Sequence, residues 1–190
     1  MTKKNWRVRA STTMKTYVYC RIAAHNALER AKLQPSGSFY FNMMAAVFSA
    51  FTVEGFLNDL GERKVADWTA LERRLGPKEK LLLLRQLLHL TVDESRRPFQ
   101  TLRAMLRVRD ALAHGRTLET RSGVIVANPN DECASWPEPE WKKLCQPKSV
   151  ARMVEDADLI IRDLSAQTGS RRDPFASPGG GWSGADQVDA

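Results

Sequence analysis

The segment that decides the fold is FYFNMMAAVFSAFTVEGFLNDL, residues 39–60. Its small and apolar residues recur at steps of three and four, at Phe41, Ala45, Phe48, Phe51 and Gly55. This spacing places them on one face of an α-helix, and Gly61 follows where a C-cap glycine belongs. We therefore predict a long, buried helix that ends near Gly61.

Helical signals continue on both sides of this segment. Periodic apolar residues bounded by Pro, Gly or Asp predict further helices at residues 12–33, a short one after Asp67, 77–90, about 98–114 and 149–166. Four to five long helices with short connections predict an all-α fold, an antiparallel up-and-down bundle.

The rest of the chain divides around this bundle. Between residues 116 and 147 the sequence alternates like a short β-hairpin and then forms a loop rich in Pro and Trp, so we predict an insertion there. Residues 1–11 are expected to be a basic flexible arm. Residues 169–190 are rich in Gly and Pro and are expected to be a disordered tail. One helical domain, residues 12–168, lies between them.

Composition excludes several classes of protein. The 190 residues are 43% apolar and 27% charged, which is typical of a globular domain. The longest nearly apolar stretch, Met43–Phe51, is too short for a bilayer, so we expect no membrane association. Three cysteines without a Cys-x-x-Cys pair predict reduced thiols in the cytoplasm and no structural zinc.

The net charge of +7 is concentrated near the start of the chain. Residues 1–16 contain five basic residues and no acidic one: Lys3, Lys4, Arg7, Arg9 and Lys15. A segment of this kind can hold a polyanion such as RNA. A solvated terminus without a partner is an equally valid interpretation.

The segment FQTLRAMLRVRDALAHG, residues 99–115, carries the strongest functional signal. Arg109 is followed by Asp110 and, after four intervening residues, by His114 at the predicted helix end. This pattern resembles the HEPN domains (higher eukaryotes and prokaryotes nucleotide-binding), which carry an arginine, often a polar residue, and then a histidine near the end of a bundle helix. The order of helices is similar over roughly residues 15–166.

A helical wheel of this segment separates its cations. Arg103, Arg107, Asp110 and His114 share a polar face that could hold phosphate. Arg109 instead lies in the apolar arc, where an unpaired guanidinium is costly to bury. Glu54 lies in the apolar stripe of the helix at residues 39–60, with Asn58 one turn later. We therefore predict that Arg109 contacts Glu54 or lies at a dimer interface.

The HEPN resemblance implies an endoribonuclease that needs no metal. A histidine moves protons near neutral pH and an arginine stabilises charge on phosphorus. In this chain the resemblance implies catalytic roles for Arg109 and His114, with Asp110 orienting one of them. Two copies of this set would meet in a homodimer. The expected supporting residues are, for substrate, Arg103, Arg107 and Arg116 and, for the site itself, Glu54 and Asn58.

The resemblance also implies a context of toxin–antitoxin or other defence systems, with RNA as substrate and an antitoxin or another protein as partner. No phosphate loop, dinucleotide motif or zinc motif is present, so we expect no cofactor. Two alternatives remain open. One is a HEPN-like nucleotide-binding or protein-interaction module without catalysis, and the other is a helical scaffold in which Arg109 only pairs with Glu54.

Overall fold

The computed structural model describes residues 5–120 and 138–188. Within these ranges the chain is mostly helical, with one two-stranded antiparallel sheet. The elements are β1 (Asn5–Met14), α1 (Thr16–Leu33), α2 (Ser38–Lys64), α3 (Trp68–Glu72), α4 (Pro77–Leu87), α5 (Phe99–Ala113), α6 (Glu140–Leu144), α7 (Pro147–Gln167) and β2 (Gly179–Val188). The predicted helical character is therefore confirmed, and the sheet is an addition to it.

Helix α2 is the centre of the fold. It packs against α1, α3, α4, α5 and α7, and its residues Ala45, Ala50 and Leu57 have no exposed surface. By length and hydropathy alone, α2 is also apolar enough to cross a membrane, a property that it shares with core helices. In this structure 50% of its most apolar stretch is buried inside the protein. The predicted long, buried helix is confirmed, but the predicted face is wrong: of its five residues only Ala45 is fully buried, and Phe51 is exposed.

Two glycines of α2 allow neighbouring elements to approach closely. A Cβ atom at Gly55 would lie 3.2 Å from the Cβ of Tyr17 in α1, and one at Gly61 would lie 2.1 Å from the Trp68 ring. The prediction that Gly61 ends the helix is wrong, because α2 continues to Lys64. Gly61 instead provides the space in which the buried Trp68 indole packs.

A buried carboxylate ties the start of α5 to α7. Asp156 has no exposed surface, and it accepts hydrogen bonds from the Arg97 guanidinium and from the Thr101 hydroxyl at 2.5 Å. Buried charges of this kind are tolerated only when they are paired. This contact holds α5, the helix that carries Arg109 and His114, against the last long helix.

The two ends of the chain form the sheet. Strand β1 pairs with β2 in antiparallel register from Asn5 opposite Val188 to Met14 opposite Gly179. The prediction of a flexible arm over residues 1–11 and a disordered tail over 169–190 is therefore wrong for the residues in these strands. The inward-facing backbone groups of the two strands pair with each other, and the outward-facing groups of both edges are left to solvent.

The segment between α7 and β2 is anchored on the helices. Tyr17 donates a hydrogen bond from its hydroxyl to the carbonyl of Pro174 at 2.8 Å, and the Arg21 guanidinium lies 4.4 Å from the centre of the Phe175 ring. Burial, followed by the charge of Asp59, raises the pKa of Tyr17 to about 12. Phe175 is the aromatic residue of this segment, and its contact with Arg21 helps to attach the segment to α1.

The predicted insertion over residues 116–147 is described only at its edges. The expected hairpin falls largely on residues 121–137 and so lies outside the described residues. Residues 116–120 have no regular structure. Part of the expected Pro- and Trp-rich loop is helical instead, because Pro139 precedes a short turn of helix, α6.

A second ion cluster links α1 to α7 and gives a pH-dependent stability. Arg21 and His25 both contact Asp158, at 2.6 and 3.2 Å. Burial opposes the charge of Asp158, but the hydrogen bonds from His25 and Arg21 outweigh burial and lower its pKa. Asp158 therefore stabilises the fold above its unfolded-state pKa and loses that contribution as the pH falls through the lowered value.

We expect Asp158→Asn to lower the free energy of unfolding by about 1 kcal/mol at pH 7, less than the ~1.5–3 kcal/mol of a hydrogen bond to a charged group because Arg21 and His25 are partly exposed. The difference between variant and wild type should shrink as the pH is lowered below about 4, where the wild-type carboxylate also becomes protonated. Urea unfolding between pH 2.5 and 7 measures both effects. A difference that does not change with pH would contradict this account.

Candidate active site

The predicted contact between Arg109 and Glu54 is confirmed. Nη2 of Arg109 lies 2.5 Å from Oε2 of Glu54, and the two side chains are only 16% and 22% exposed. They join α5 to α2 at a point where both helices present apolar residues to each other. The wheel argument holds because a guanidinium and a carboxylate placed between apolar faces must pair with each other.

The pair belongs to a larger cluster of charges. Nη1 of Arg109 donates to Oδ1 of Asp110 at 2.6 Å, and Nζ of Lys80 from α4 lies 3.5 Å from Oε1 of Glu54. Lys80 is 5% exposed on its side chain. Sequence reasoning missed Lys80, although a lysine directly before the run of leucines at 81–84 is a signal that it faces the core. We call Glu54, Lys80, Arg109 and Asp110 the charge cluster.

The electrostatics of the cluster keep Arg109 charged. Burial opposes its charge, but the hydrogen bond and charge of Glu54, with those of Asp110, raise the pKa of Arg109 above its usual value. Two buried polar atoms in or next to this cluster have no hydrogen-bond partner among the described residues. They are Nε of Arg109 and Oδ1 of Asn58, and Asn58 follows Glu54 by one helical turn. Oδ1 of Asn42 and Nε1 of Trp68 are also buried without a partner, so this property alone does not single out the cluster.

His114 stands at the end of α5, beside the charge cluster. It is the C-cap residue, its backbone N–H donates to the carbonyl of Asp110 at 3.0 Å, and its side chain is exposed. It lines a groove of about 480 Å³ together with Asp110, Arg116, Leu118 and Trp141. Asp110 thus faces both the groove and Arg109. An imidazole, a guanidinium and an aromatic ring share one concave surface.

The structure brings some of the predicted residues together and separates others. Asp110, His114 and Arg116 share the groove, and Arg109 contacts Asp110 behind it. Arg107 instead forms an ion pair with Glu140 of α6. Arg103 lines a different groove, of about 230 Å³, between α4 and α5. The residues of the polar face predicted from the wheel are therefore divided between two grooves and an ion pair.

Trp141 is a further residue of the groove. Its ring is half-buried and lies 6.4 Å from the ring of Phe39, while α6 holds it against the end of α5. The sequence presented it only as a tryptophan in a Pro-rich loop. Its place beside His114 depends on how α6 packs, which no local pattern predicts.

The arrangement can move a proton and hold an anion at one place. His114 offers an exposed imidazole, and Arg116 offers a cation in the same groove. Arg109 directs both Nη groups at carboxylates, so in this conformation it positions Asp110. Within residues 5–120 and 138–188, no group of three or more His, Cys, Asp or Glu side chains is arranged to hold a metal ion.

No protein-family model matches the chain, and neither a curated protein nor a solved structure shows significant similarity to it. The fold and the groove are therefore interpreted from their own residues.

Proposed function

We propose that this protein is a metal-independent endoribonuclease of the HEPN type. The observation that carries the proposal is the exposed His114 at the end of α5, in one groove with Asp110 and Arg116 and directly in front of the paired Arg109. The up-and-down order of the long helices, a cytoplasmic location and a role in toxin–antitoxin or other defence systems belong to the same proposal.

The chemistry assigned to this site is attack of an RNA 2′-hydroxyl on the adjacent phosphorus. The P–O bond to the 5′-oxygen breaks as the new P–O bond forms, the proton of the 2′-hydroxyl passes to a base, and an acid gives a proton to the 5′-oxygen as it leaves. His114 is the proton carrier, and Arg116 stabilises the charge that develops on phosphorus. Arg109 positions Asp110, which lines the groove together with His114.

A homodimer completes the proposed site. In-line displacement places the base and the acid on opposite sides of the phosphorus, and one chain offers one suitable histidine. A two-fold dimer would place two copies of His114 at a common cleft. An antitoxin or another protein would act by covering that cleft.

One observation favours the alternative of a non-catalytic binding module. Both Nη groups of Arg109 are already hydrogen bonded to carboxylates, so this arginine is held as a structural ion pair would be. In that case the groove binds a nucleotide or a protein segment, and His114 is a contact residue only.

The products of cleavage test the proposal. We expect the purified protein to cut single-stranded RNA in EDTA and to leave 2′,3′-cyclic phosphate and 5′-hydroxyl ends, because the 2′-hydroxyl is the attacking group. The same oligonucleotide with 2′-O-methyl groups should bind without being cut. Mass spectrometry of the fragments checks both statements. Binding of unmodified RNA without cleavage would support the binding module instead.

A further inference from the structure

The ribbon of β1 and β2 has two different faces. Residues directly opposite each other in an antiparallel pair project to the same side. One face therefore combines Arg7, Arg9, Ser11 and Thr13 of β1 with Trp182 of β2, since Ser11 is opposite Trp182 and Arg9 is opposite Gly184. We call this set the basic face. The opposite face carries Val8, Ala10, Thr12 and Met14.

Trp182 is an exposed aromatic residue in the middle of the basic face. Its side chain is 65% exposed. A Cβ atom at Gly184 would lie 2.8 Å from two atoms of the Trp182 ring, so the ring lies over the bare backbone of this glycine. The glycine allows the indole to rest on the ribbon while the rest of the ring stays open to solvent. The exposed face of the indole is therefore available for stacking on a flat aromatic partner.

The charges beside the indole fit an anionic partner. Arg7 and Arg9 are exposed. Trp182 is opposite Ser11, and its ring extends over Gly184, which is opposite Arg9. Lys15 directly follows β1 and adds a third positive charge to those of Arg7 and Arg9. The partner must therefore supply both flat aromatic surface and repeated negative charge.

We propose that the basic face binds single-stranded nucleic acid, with a base stacked on Trp182 and the flanking phosphates on Arg7 and Arg9. Unpaired bases present the π-face that an open indole needs, whereas bases in a duplex are stacked on each other. The hydroxyl groups of Ser11 and Thr13 add neutral donors along the same row. The choice of RNA over DNA rests on the proposed function, but the stacking site itself does not require cleavage.

A binding measurement with an uncleavable strand tests this site separately from catalysis. The probe is a fluorescein-labelled 2′-O-methyl RNA of 12 nucleotides, which lacks the attacking hydroxyl, titrated with the full-length chain. We expect Trp182→Ala to weaken binding at least about fivefold, since one stacked base contributes about 1–3 kcal/mol. Trp182→Phe should stay within about threefold of the wild type.

Charge variants test the same face by salt dependence. We expect the double variant Arg7→Ala/Arg9→Ala to reduce the slope of log Kd against log salt by about 1.4, from two lost phosphate contacts. Arg73→Ala/Arg74→Ala removes the same charge from the exposed end of α3 and should leave the slope unchanged. Thermal unfolding confirms that all variants stay folded.

Three results would overturn the proposal. The first is wild-type affinity in Trp182→Ala. The second is an equal change of slope in the two double variants. The third is that vesicles containing phosphatidylserine, or a duplex of the same length, bind in a Trp182-dependent way while the single strand does not. Loss of RNA cleavage with intact binding of the probe would count against His114 catalysis and leave this site in place.

Discussion

His114→Asn is expected to lower the rate of RNA cleavage by about 10² to 10⁴, the range that a general acid or base contributes. The side chain is exposed at the end of α5, so its replacement removes no core packing. Asparagine can still donate and accept hydrogen bonds in the groove, but it cannot carry a proton between substrate atoms. The measurement is the initial rate of cleavage of a labelled RNA in EDTA, with far-UV circular dichroism as the check on folding.

His89→Asn is the matched control for this variant. His89 is exposed, follows α4 and has a positive φ of 53°, a conformation that asparagine tolerates well. We expect its cleavage rate to equal that of the wild type. Equal rates in all three proteins would remove His114 from the mechanism, and inactivity of the wild type would favour the binding module.

The second large effect is expected at Glu54. Glu54→Gln removes the negative charge that Lys80 and Arg109 share, and those two side chains are only 5% and 16% exposed. Breaking a buried ion pair from one side is strongly destabilising because a charge is left without a partner. Since Glu54 is itself 22% exposed, water screens part of the effect, and we expect a loss of about 2–4 kcal/mol in the free energy of unfolding.

Urea unfolding of three variants measures this effect. Glu62→Gln, on an exposed position of the same helix, is the control and should stay within about 0.5 kcal/mol of the wild type. The triple variant Glu54→Leu/Lys80→Met/Arg109→Leu should recover much of the loss, because apolar side chains of similar size can replace a buried ionic network. A Glu54→Gln protein as stable as the control would show that the charge cluster contributes nothing.

The two predictions also separate the proposed function from its alternatives. A nuclease loses activity in His114→Asn without losing stability. A scaffold in which Arg109 only pairs with Glu54 loses stability in Glu54→Gln and is unaffected by any change at His114. Activity measured on the triple variant adds a further distinction, since Arg109 acts through Asp110 in our proposal and its loss should lower the rate even in a folded protein.

The helical elements could be predicted from the sequence because their cause is local. A helix buries one face, so the period of its apolar residues marks it, and for α7 the predicted stripe is the buried face. The contact between Arg109 and Glu54 was predictable for a related reason. Each is a charge in an apolar stripe, and each needs a partner wherever the helices meet.

The arrangement around His114 needed tertiary structure. The wheel placed Arg103, Arg107 and His114 on one face of α5, but α4 borders the groove that contains Arg103, and Glu140 of α6 pairs with Arg107. Which charges on a helix remain available depends on what the neighbouring elements bring to them. Trp141 joined the groove in the same way.

The sequence by itself determined the helical class, the buried character of α2 and the pairing of Arg109 with Glu54, because each follows from the apolar residues and the cost of an unpaired charge. Only the tertiary structure decided the groove at His114 and the ribbon of β1 and β2. The ribbon pairs the two ends of the chain through backbone hydrogen bonds, which any side chains can accompany. The alternation in β1 is a local signal for a strand, but no local pattern shows that its partner lies at the far end of the chain.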